Sequence, residues 1–432
     1  MKQEKKQRNR WSGCWNLQNR DREAKTMKIK TDVVIVGTGV AGMFSALKLP
    51  RDKKIVIITK EDMRSSDSFL AQGGICVLRD ENDYDSYFED TMKAGHYENR
   101  KESVDIMIRG SRDVINDLVG YGVDFKMDGD DFAYTREGAH SQPRILFYED
   151  ITGKQITQTL LEQARTRDNI EICEYMTMVD LIADDNICGG VVIMDEQNEV
   201  YLVHASNVVL ACGGLGGLYK NSTNFPHIAG DGLGIAMKHQ IVLEHLDYVQ
   251  IHPTTLYSHK PGRRFLISES VRGEGALLYD RNGQRFTNEL QPRDLLSEKI
   301  FSQMEKDDTE FVWEDMRPLG EKTIMQHFPN IYQHCIEEGF DPRKEPIPVV
   351  PAQHYFMGGI QADLSSRTSM RGLYACGETS CNGVHGKNRL ASNSLLESLV
   401  FARRAADDMI FGETPEMCRP DRLDLNQYED QN

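Results

Sequence analysis

The feature that most constrains this chain is a glycine-rich turn between a strand-like run and a helix-like run. The apolar run Asp32–Gly37 predicts a buried strand, and Met43–Leu49 predicts a helix. Between them, Gly37, Gly39 and Gly42 fit the spacing GxGxxG. In that spacing the glycines permit a tight turn, close approach to a pyrophosphate and close packing of helix on strand. The order strand, turn and helix favours a dinucleotide-binding fold over a purely structural turn.

The end of the second predicted strand, Lys54–Lys60, departs from the pattern of nicotinamide-dependent dehydrogenases. An acid that binds the ribose is expected near that end. Thr59 and Lys60 stand there instead, and Glu61 comes one residue late. A plain NAD dehydrogenase is therefore disfavoured.

A second glycine pair, Gly73 and Gly74, follows the polar segment that begins at Ser65. Paired glycines permit the close backbone approach that a bulky flat ring, such as a flavin, requires. A plain surface loop has the same composition, so both interpretations stay open at this point.

Composition excludes several classes of function. The chain has 432 residues, which predicts two or three domains, and 67 acidic against 51 basic residues give a formal charge of −16. This balance argues against nucleic acid or anionic lipid as the main partner. The sequence contains no run of about 18 apolar residues, so no membrane span is predicted. The nine cysteines contain no CxxC pair, and the single pair Cys376 and Cys381 is too sparse for a metal site, so no bound metal is expected. The thiols are expected to be reduced, as in the cytoplasm.

Both ends of the chain differ in composition from the rest. Residues 1–27 are rich in Lys, Arg, Asn and Gln and contain a second methionine, Met27, directly before the first strand-like run. We expect a disordered arm or an artefact of start-codon choice there. Residues 413–432 contain Pro415 and Pro420 and predict a polar tail.

Eight motifs follow one another over residues 28–412. They are GTGVAG (37–42), AQGGI (71–75), TREGAHS (135–141), IHPT (251–254), SESVRGEGA (268–276), PRD (292–294), PAQHYFMGG (351–359) and GLYACGE…HGKNRLASNSLLE (372–397). In this order they resemble the flavoprotein family of succinate dehydrogenase, fumarate reductase and L-aspartate oxidase. Eight ordered motifs make coincidence implausible.

The resemblance implies an α/β fold in which a Rossmann-like FAD-binding domain is formed by two segments, 28–243 and 354–412. An α+β capping domain, residues 244–353, is expected as an insertion between them. The C-terminal helical domain of longer relatives is expected to be absent. The substrate would lie between the two domains, and closure of the cap would exclude water.

The resemblance also implies FAD as cofactor. Members from membrane complexes attach FAD covalently to a histidine whose position here is Asp67, so non-covalent FAD is expected. Asp231 and Glu378 match positions that contact FAD, and the helix that opens at Ser392–Ser394 would direct its N-terminus at the flavin. The predicted cofactor-binding residues are Gly37, Thr38, Gly39, Val40, Ala41, Gly42, Lys60, Asp67, Ser68, Phe69, Leu70, Ala71, Gln72, Gly73, Gly74, Asp231, Glu378, Ser394 and Leu395.

Family members act on four-carbon dicarboxylates, whose two carboxylates need fixed cations and donors when buried. The resemblance implies Arg389 with His252 and His354 as carboxylate ligands, and Thr254 and Ser268 as hydroxyl donors. Each histidine taken alone would more often be structural. The motifs favour contact with substrate.

Three positions imply the catalytic chemistry. TREGAHS resembles the aspartate oxidase form of this loop, in which Glu137 would face the substrate ammonium group. Arg293 resembles the proton-transfer arginine of the family, and Glu269 with Arg272 could resupply its proton if their segment is helical. A structural salt-bridge cluster is the rival explanation for these charges.

The resemblance thus implies oxidation of L-aspartate to iminoaspartate by hydride transfer to FAD. Reoxidation by O2, giving H2O2, or by fumarate, giving succinate, would complete the cycle and begin de novo NAD biosynthesis. Hand-off of iminoaspartate to quinolinate synthase and a cytoplasmic location are expected, and the oligomeric state is left open. The alternatives are a soluble fumarate reductase or succinate dehydrogenase-like flavoprotein and a catalytically silent FAD-binding protein.

Overall fold

The computed structural model describes residues 27–412, and a parallel five-stranded sheet lies at the centre of that range. Its strands, in spatial order, are Leu373–Ala375, Asn207–Leu210, Val33–Val36, Ile55–Thr59 and Ile170–Glu174. The strands at residues 33–36 and 55–59 are buried along their whole length. Continuous runs of Val and Ile suit a parallel sheet that is covered on both faces.

One face of this central sheet is covered by helices that share a large apolar core. The helices of this cofactor body, the part of the molecule built on the central sheet, are Val40–Lys48, Asp67–Leu70, Tyr84–Ala94, Lys101–Tyr121, Thr152–Arg165, Asp231–Lys238 and Asn393–Phe411. The other face packs on a four-stranded sheet, with strands Met27–Lys30, Val200–His204, Ile187–Asp195 and Met176–Asp184. Short strands complete the body at Ile75–Cys76, Met127–Asp128, Asp131–Phe132, Ile145–Leu146, Leu243–Glu244, Gly359–Gln361 and Ser380–Cys381. The predicted Rossmann-like architecture is confirmed.

The glycine-rich turn has the predicted order of elements, with one shifted boundary. The helix begins at Val40, three residues before the predicted start, and ends at Lys48. Gly37 has φ +113°, and a Cβ there would collide with the carbonyl oxygen of Ala211, which directly follows the neighbouring strand Asn207–Leu210. The first glycine is therefore required by the packing of the sheet as well as by the turn.

A second body, which we call the cap, contains its own antiparallel sheet. In spatial order the strands are Phe265–Leu266, Val249–Leu256, Ile347–Phe356, Val312–Asp315 and Leu277–Tyr279. Its helices are Glu269–Gly273, Arg293–Asp307, Glu321–His327 and Pro329–Glu337. These elements enclose a separate apolar core that includes Ile300, Val312 and Ile331. The α+β character predicted for the cap is confirmed.

Two further features concern the predicted site and domain boundaries. The strand Leu373–Ala375 ends before Glu378, which lies in the short 3-10 helix Gly377–Thr379. The cap strand Ile347–Phe356 continues across the predicted domain boundary at residue 353. The exact division into domains remains a prediction.

The predictions for the two ends of the chain, residues 1–26 and 413–432, lie outside the described residues. Within residues 27–412, none of the helices combines the length and the apolar character needed to cross a membrane.

Candidate active site

A cavity of about 480 Å³ lies between the cofactor body and the cap, and both contribute to its wall. This volume is typical of a site for a small molecule or cofactor. Nearly all of the predicted site residues line it. The exceptions are Val40, Gly42, Thr254 and Arg272.

One end of the cavity is the glycine turn. The helix there begins after Gly39, which has no side chain to cap it, while the amide of Val40 donates to Ser68 Oγ at 3.2 Å. An uncapped helix N-terminus attracts phosphate groups. Across the same end, Lys60 Nζ lies 2.8 Å from Asp231 Oδ2. The structure thus brings together two predicted cofactor-binding residues that are far apart in sequence.

Two half-buried carboxyl groups, those of Asp67 and Glu378, line the cavity. Asp67 accepts hydrogen bonds from Asn224 Nδ2 at 2.7 Å and from the amide of Phe225 at 2.9 Å. Burial raises the pKa of Asp67 to about 7. Glu378 accepts from the amide of Phe356 at 2.9 Å, and burial raises its pKa to about 8. Both groups are tied to fixed backbone positions.

The glycine pair at residues 73 and 74 is explained by its protein neighbours. A Cβ on Gly73 would lie 2.6 Å from Glu137 Oε1, and one on Gly74 would collide with the side chain of Ile145 and the carbonyl oxygen of Leu146. Both glycines also line the cavity. Gly73 thus permits the approach of Glu137, and Gly74 permits the approach of Ile145 and Leu146. That the pair also permits approach of a flat ring stays a prediction.

The other end of the cavity is a cluster around Arg293, the first residue of a cap helix. Its Nε donates to Glu269 Oε2 at 2.6 Å, and its other donor contact is to Gln250 Oε1 at 2.8 Å. Burial alone would raise the pKa of Glu269, but the charges of Arg293 and Arg272 hold it below its usual range. Glu269 and Arg272 lie on one short helix, Glu269–Gly273, so the condition for their relay, a helical segment, is met.

Two histidines face this cluster from neighbouring cap strands. The rings of His252 and His354 have centroids 5.0 Å apart. The strand register shifts beside each of them, so that His354 is an extra residue opposite the bond between Gln250 and Ile251. Bulges of this kind redirect a side chain and are common near active sites.

Both histidines are neutral. Burial, together with nearby Arg293, holds the pKa of His252 and of His354 well below its usual value. His354 Nδ1 contacts Thr223 Oγ1 at 2.8 Å. The Nε2 atom of His252 is buried and has no hydrogen-bond partner among residues 27–412. A buried ring nitrogen of this kind is available to a ligand.

Arg389 approaches from the cofactor body. Its guanidinium lies 4.4 Å from the centre of the Tyr355 ring and donates to Ser394 Oγ at 3.0 Å. Its Nε is buried without a partner within the described range. Burial and the charge of Arg293 lower the pKa of Arg389 to about 10, so it stays positively charged at neutral pH.

Glu137 completes the cluster and lies against Gly73 of the glycine pair. Its Oε1 accepts from Ser270 Oγ at 2.8 Å, and its Oε2 accepts from Ser392 Oγ at 2.5 Å. Burial and the nearby charge of Glu269 raise the pKa of Glu137. A buried carboxyl group in a cavity, with a shifted pKa, is a candidate functional group.

Two predicted residues lie behind the cavity wall. The hydroxyl of Thr254 donates to the carbonyl of Ile267 at 3.1 Å. Arg272 donates to the carbonyl of Glu289 at 2.8 Å, and its Nε lies 3.4 Å from Thr254 Oγ1. Their predicted roles would therefore have to act through Glu269 and the strand that carries His252.

Sequence reasoning missed a buried network that holds the Arg389 loop. Arg144 is fully buried and pairs with Asp83 at 2.9 Å and Asp90 at 2.6 Å. It also contacts His140 Nδ1 at 3.0 Å, and His140 Nε2 lies 3.0 Å from the carbonyl oxygen of Ala391.

Because a guanidinium can only donate, Nδ1 of His140 must accept and Nε2–H must donate to Ala391. Burial and the charge of Arg144 lower the pKa of His140 to about 4, which keeps this tautomer neutral. The available signal was that His140 belongs to the same motif as Glu137 and that Arg144 follows the end of this motif by three residues.

The residues fit FAD. The cavity joins an uncapped helix N-terminus to a chamber with buried polar atoms that lack partners inside residues 27–412. A family model described as FAD binding domain matches residues 32–395. The fold and the cavity thus define an FAD-dependent oxidoreductase.

Similar proteins narrow the class. The L-aspartate oxidase of Clostridium perfringens is 49% identical over 381 residues, which cover 88% of this chain and 87% of that protein. The L-aspartate oxidase of a Nostoc species is 42% identical over 93% of this chain and 72% of its own length. The FrdA chain of an E. coli quinol fumarate reductase variant superposes with a TM-score of 0.84 at 31% identity, covering 89% of this chain and 70% of that one. The chain belongs to the L-aspartate oxidase family.

Proposed function

We propose that this protein oxidises L-aspartate to iminoaspartate and so begins de novo NAD biosynthesis. FAD, when bound, accepts the hydride. The observation that carries the proposal is that one cavity is lined by Arg389, His252, His354, Arg293 and Glu137. The comparisons with L-aspartate oxidases support it.

The cationic and neutral donors suit a dicarboxylate. Arg389 has free donor capacity at Nε and offers a fork to one carboxylate. His252 offers an unpartnered Nε2. Its Nδ1 lies 3.0 Å from the carbonyl oxygen and 3.2 Å from the amide nitrogen of Thr254, and the tautomer that accepts this amide carries Nε2–H, which would donate to a carboxylate. Burial of these groups in the absence of water strengthens each charge-assisted hydrogen bond.

Glu137 supplies selectivity for the amino acid. L-Aspartate differs from succinate by an ammonium group, and a carboxylate beside it favours the amino acid by a charge-assisted hydrogen bond. Ser270 and Ser392 fix the two oxygens of Glu137, so the carboxylate is held before substrate arrives.

Arg293 is assigned to proton transfer in the reverse sense, when fumarate is the acceptor. Its pair with Glu269 at 2.6 Å is a direct contact along which a proton can be resupplied, and Arg272 influences Glu269 by charge. In the predicted relay, Arg293 and Glu269 are therefore in direct contact, whereas Glu269 and Arg272 are coupled through their charges.

FAD is proposed to bind non-covalently. The side chain at the position of the family's covalent histidine is Asp67, whose two oxygens are held by Asn224 and by the amide of Phe225. A carboxyl group held in this way supports the cofactor pocket without a bond to the ring.

O2 and fumarate are the proposed acceptors of the second half-reaction, and quinolinate synthase is the proposed recipient of iminoaspartate. The likeness to fumarate reductases favours fumarate as one acceptor and supports a soluble fumarate reductase as the second candidate function. Asp67 and Glu137 argue against that second candidate.

The decisive experiment mixes purified holoprotein anaerobically with L-aspartate and, separately, with succinate while the oxidised flavin absorbance is followed. Bleaching by L-aspartate alone supports the proposal, and addition of fumarate or air then identifies the acceptor. Bleaching by succinate alone would move the protein to the second candidate function.

The variant Arg293→Lys should bind FAD and lose turnover with fumarate. Near-normal turnover of this variant would disprove the role of Arg293 in proton transfer.

A further inference from the structure

A second, smaller cavity lies at the contact between the cofactor body and the cap. It measures about 20 Å³ and is separate from the main cavity, although Gln72, Ser268 and other wall residues are shared. A cavity of about 10–15 Å³ is enough to hold one water molecule. The size therefore suits a single water.

The wall of this small cavity offers suitable partners for water. Three polar residues, Ser268, Ser270 and Gln72, belong to its lining. Gln72 is 5% exposed, and its Oε1 has no hydrogen-bond partner anywhere in residues 27–412. A buried amide oxygen without a partner calls for a donor, which a water molecule would supply.

The inner side of the small cavity leads to Glu137 through two hydroxyls. Ser268 Oγ donates to Ser270 Oγ at 3.2 Å, and Ser270 Oγ donates to Glu137 Oε1 at 2.8 Å. Both serines are buried, so this chain of hydroxyls is screened from bulk solvent. A hydroxyl both donates and accepts, so every bond in the chain can reverse its direction.

The outer side of the small cavity leads to solvent through an ion pair. Glu274 Oε2 lies 2.8 Å from His327 Nδ1, and both residues line the cavity. Their side chains are 27% and 48% exposed. Such a pair can exchange a proton with bulk water.

Oxidation of an α-amino acid to an imine releases one proton from the ammonium group of the substrate. As the hydride leaves Cα for FAD, the C–N bond becomes a double bond and the ammonium nitrogen loses one proton. Glu137 is the carboxyl group assigned to that ammonium. The charged groups around it are Glu269, Arg293 and Arg389, and the thiol of Cys76 is also near.

We propose that the small cavity holds one water molecule and that this water completes a proton exit from Glu137 through Ser270 and Ser268 to Glu274 and His327. The inference rests on the proposed function. Protonated Glu137 donates to Ser270, Ser270 to Ser268, Ser268 to the water, and the water to the exposed pair. One proton leaves the ammonium and one enters solvent, so the step balances.

The test is anaerobic stopped-flow reduction of the bound flavin by L-aspartate, in H2O and in D2O. Ser270→Ala removes the hydroxyl next to Glu137 and should slow flavin reduction at least about tenfold, with a larger solvent isotope effect. Ser270→Thr keeps a hydroxyl and should recover most of the rate. An unchanged rate in Ser270→Ala, or a Thr variant as slow as the Ala variant, would overturn the proposal.

A second variant at the outer end protects the test from a folding defect at the serine. Glu274→Gln should reduce the flavin slowly in dilute buffer and recover as imidazole is added, because a small buffer replaces the lost proton acceptor. Absence of any dependence on imidazole would contradict the exit. If wild-type flavin is not bleached by L-aspartate, the proposed function fails and the exit fails with it; if it is bleached and no variant differs, only the exit fails.

Discussion

Replacement of Glu314 by glutamine should stabilise the protein relative to wild type, and this difference in stability should grow as the pH rises. Glu314 lies in the cap strand Val312–Asp315 and is fully buried. Neither of its carboxyl oxygens has a hydrogen-bond partner within the described part of the chain. Burial raises its pKa to about 8, although the charge of Arg272 partly opposes this. The folded protein therefore prefers Glu314 in its protonated form.

The size of the effect follows from linkage. The ordinary pKa of the side chain is 4.5 and the folded value is about 8. Each pKa unit corresponds to about 1.4 kcal/mol, so ionisation in the unfolded chain favours unfolding by about 2 kcal/mol at pH 6 and about 5 kcal/mol at pH 9. The sign is that of a raised acid: stability is lost as the pH rises from 4.5 towards 8. Glu314→Gln cannot ionise and should escape this loss.

The assay is urea denaturation of holoprotein at pH 6 and pH 9, followed by circular dichroism. The difference in unfolding free energy between Glu314→Gln and wild type should grow by about 3 kcal/mol between the two pH values. Glu305→Gln, at an exposed position of a cap helix, is the control and should show the same small difference at both. A difference for Glu314→Gln that does not change with pH would refute the reasoning.

Three further outcomes are expected. Glu137→Gln should lower kcat/KM for L-aspartate about 10- to 100-fold, since a charge-assisted hydrogen bond is lost; an unchanged ratio of L-aspartate to succinate turnover would remove its role in selectivity. Gly138→Ala should cut activity about tenfold with FAD still bound, because the new Cβ would collide with Glu269 Oε1; full activity would show that the loop can move aside. Arg144→Lys should destabilise the fold by about 3 kcal/mol in urea denaturation, since lysine cannot replace the forked contact with Asp83, and wild-type stability would contradict this.

Much of the fold could be predicted from local patterns. The apolar runs around residues 33–36 and 55–59 and the glycines between them predict buried parallel strands, because a continuous apolar run and a tight turn are both local patterns. The helix start at Val40 was missed because glycine and small residues were assigned to the turn. Helix boundaries depend on hydrogen bonds that the residue types alone do not reveal.

The site was predictable where motifs carry the residues. Arg293, His354 and Arg389 all line the cavity, although their roles stay predictions. The bulge that turns His354 out of the strand register could not be foreseen, because it depends on pairing with a strand about 100 residues earlier. The contact of Gln250 with Arg293 could not be foreseen either, because it joins a strand to a helix at residues far apart in sequence.

The strand Ile347–Phe356 has a consequence for product release. It pairs with Val249–Leu256 inside the cap, while the amide of its last residue donates to Glu378 in the cofactor body. His354 lies on this strand, so outward rotation of the cap would carry both histidines away from Arg389. With the proposed roles of Arg389 and the histidines as ligands of the two carboxylates, opening would separate these groups, and a product held at one end only should dissociate quickly.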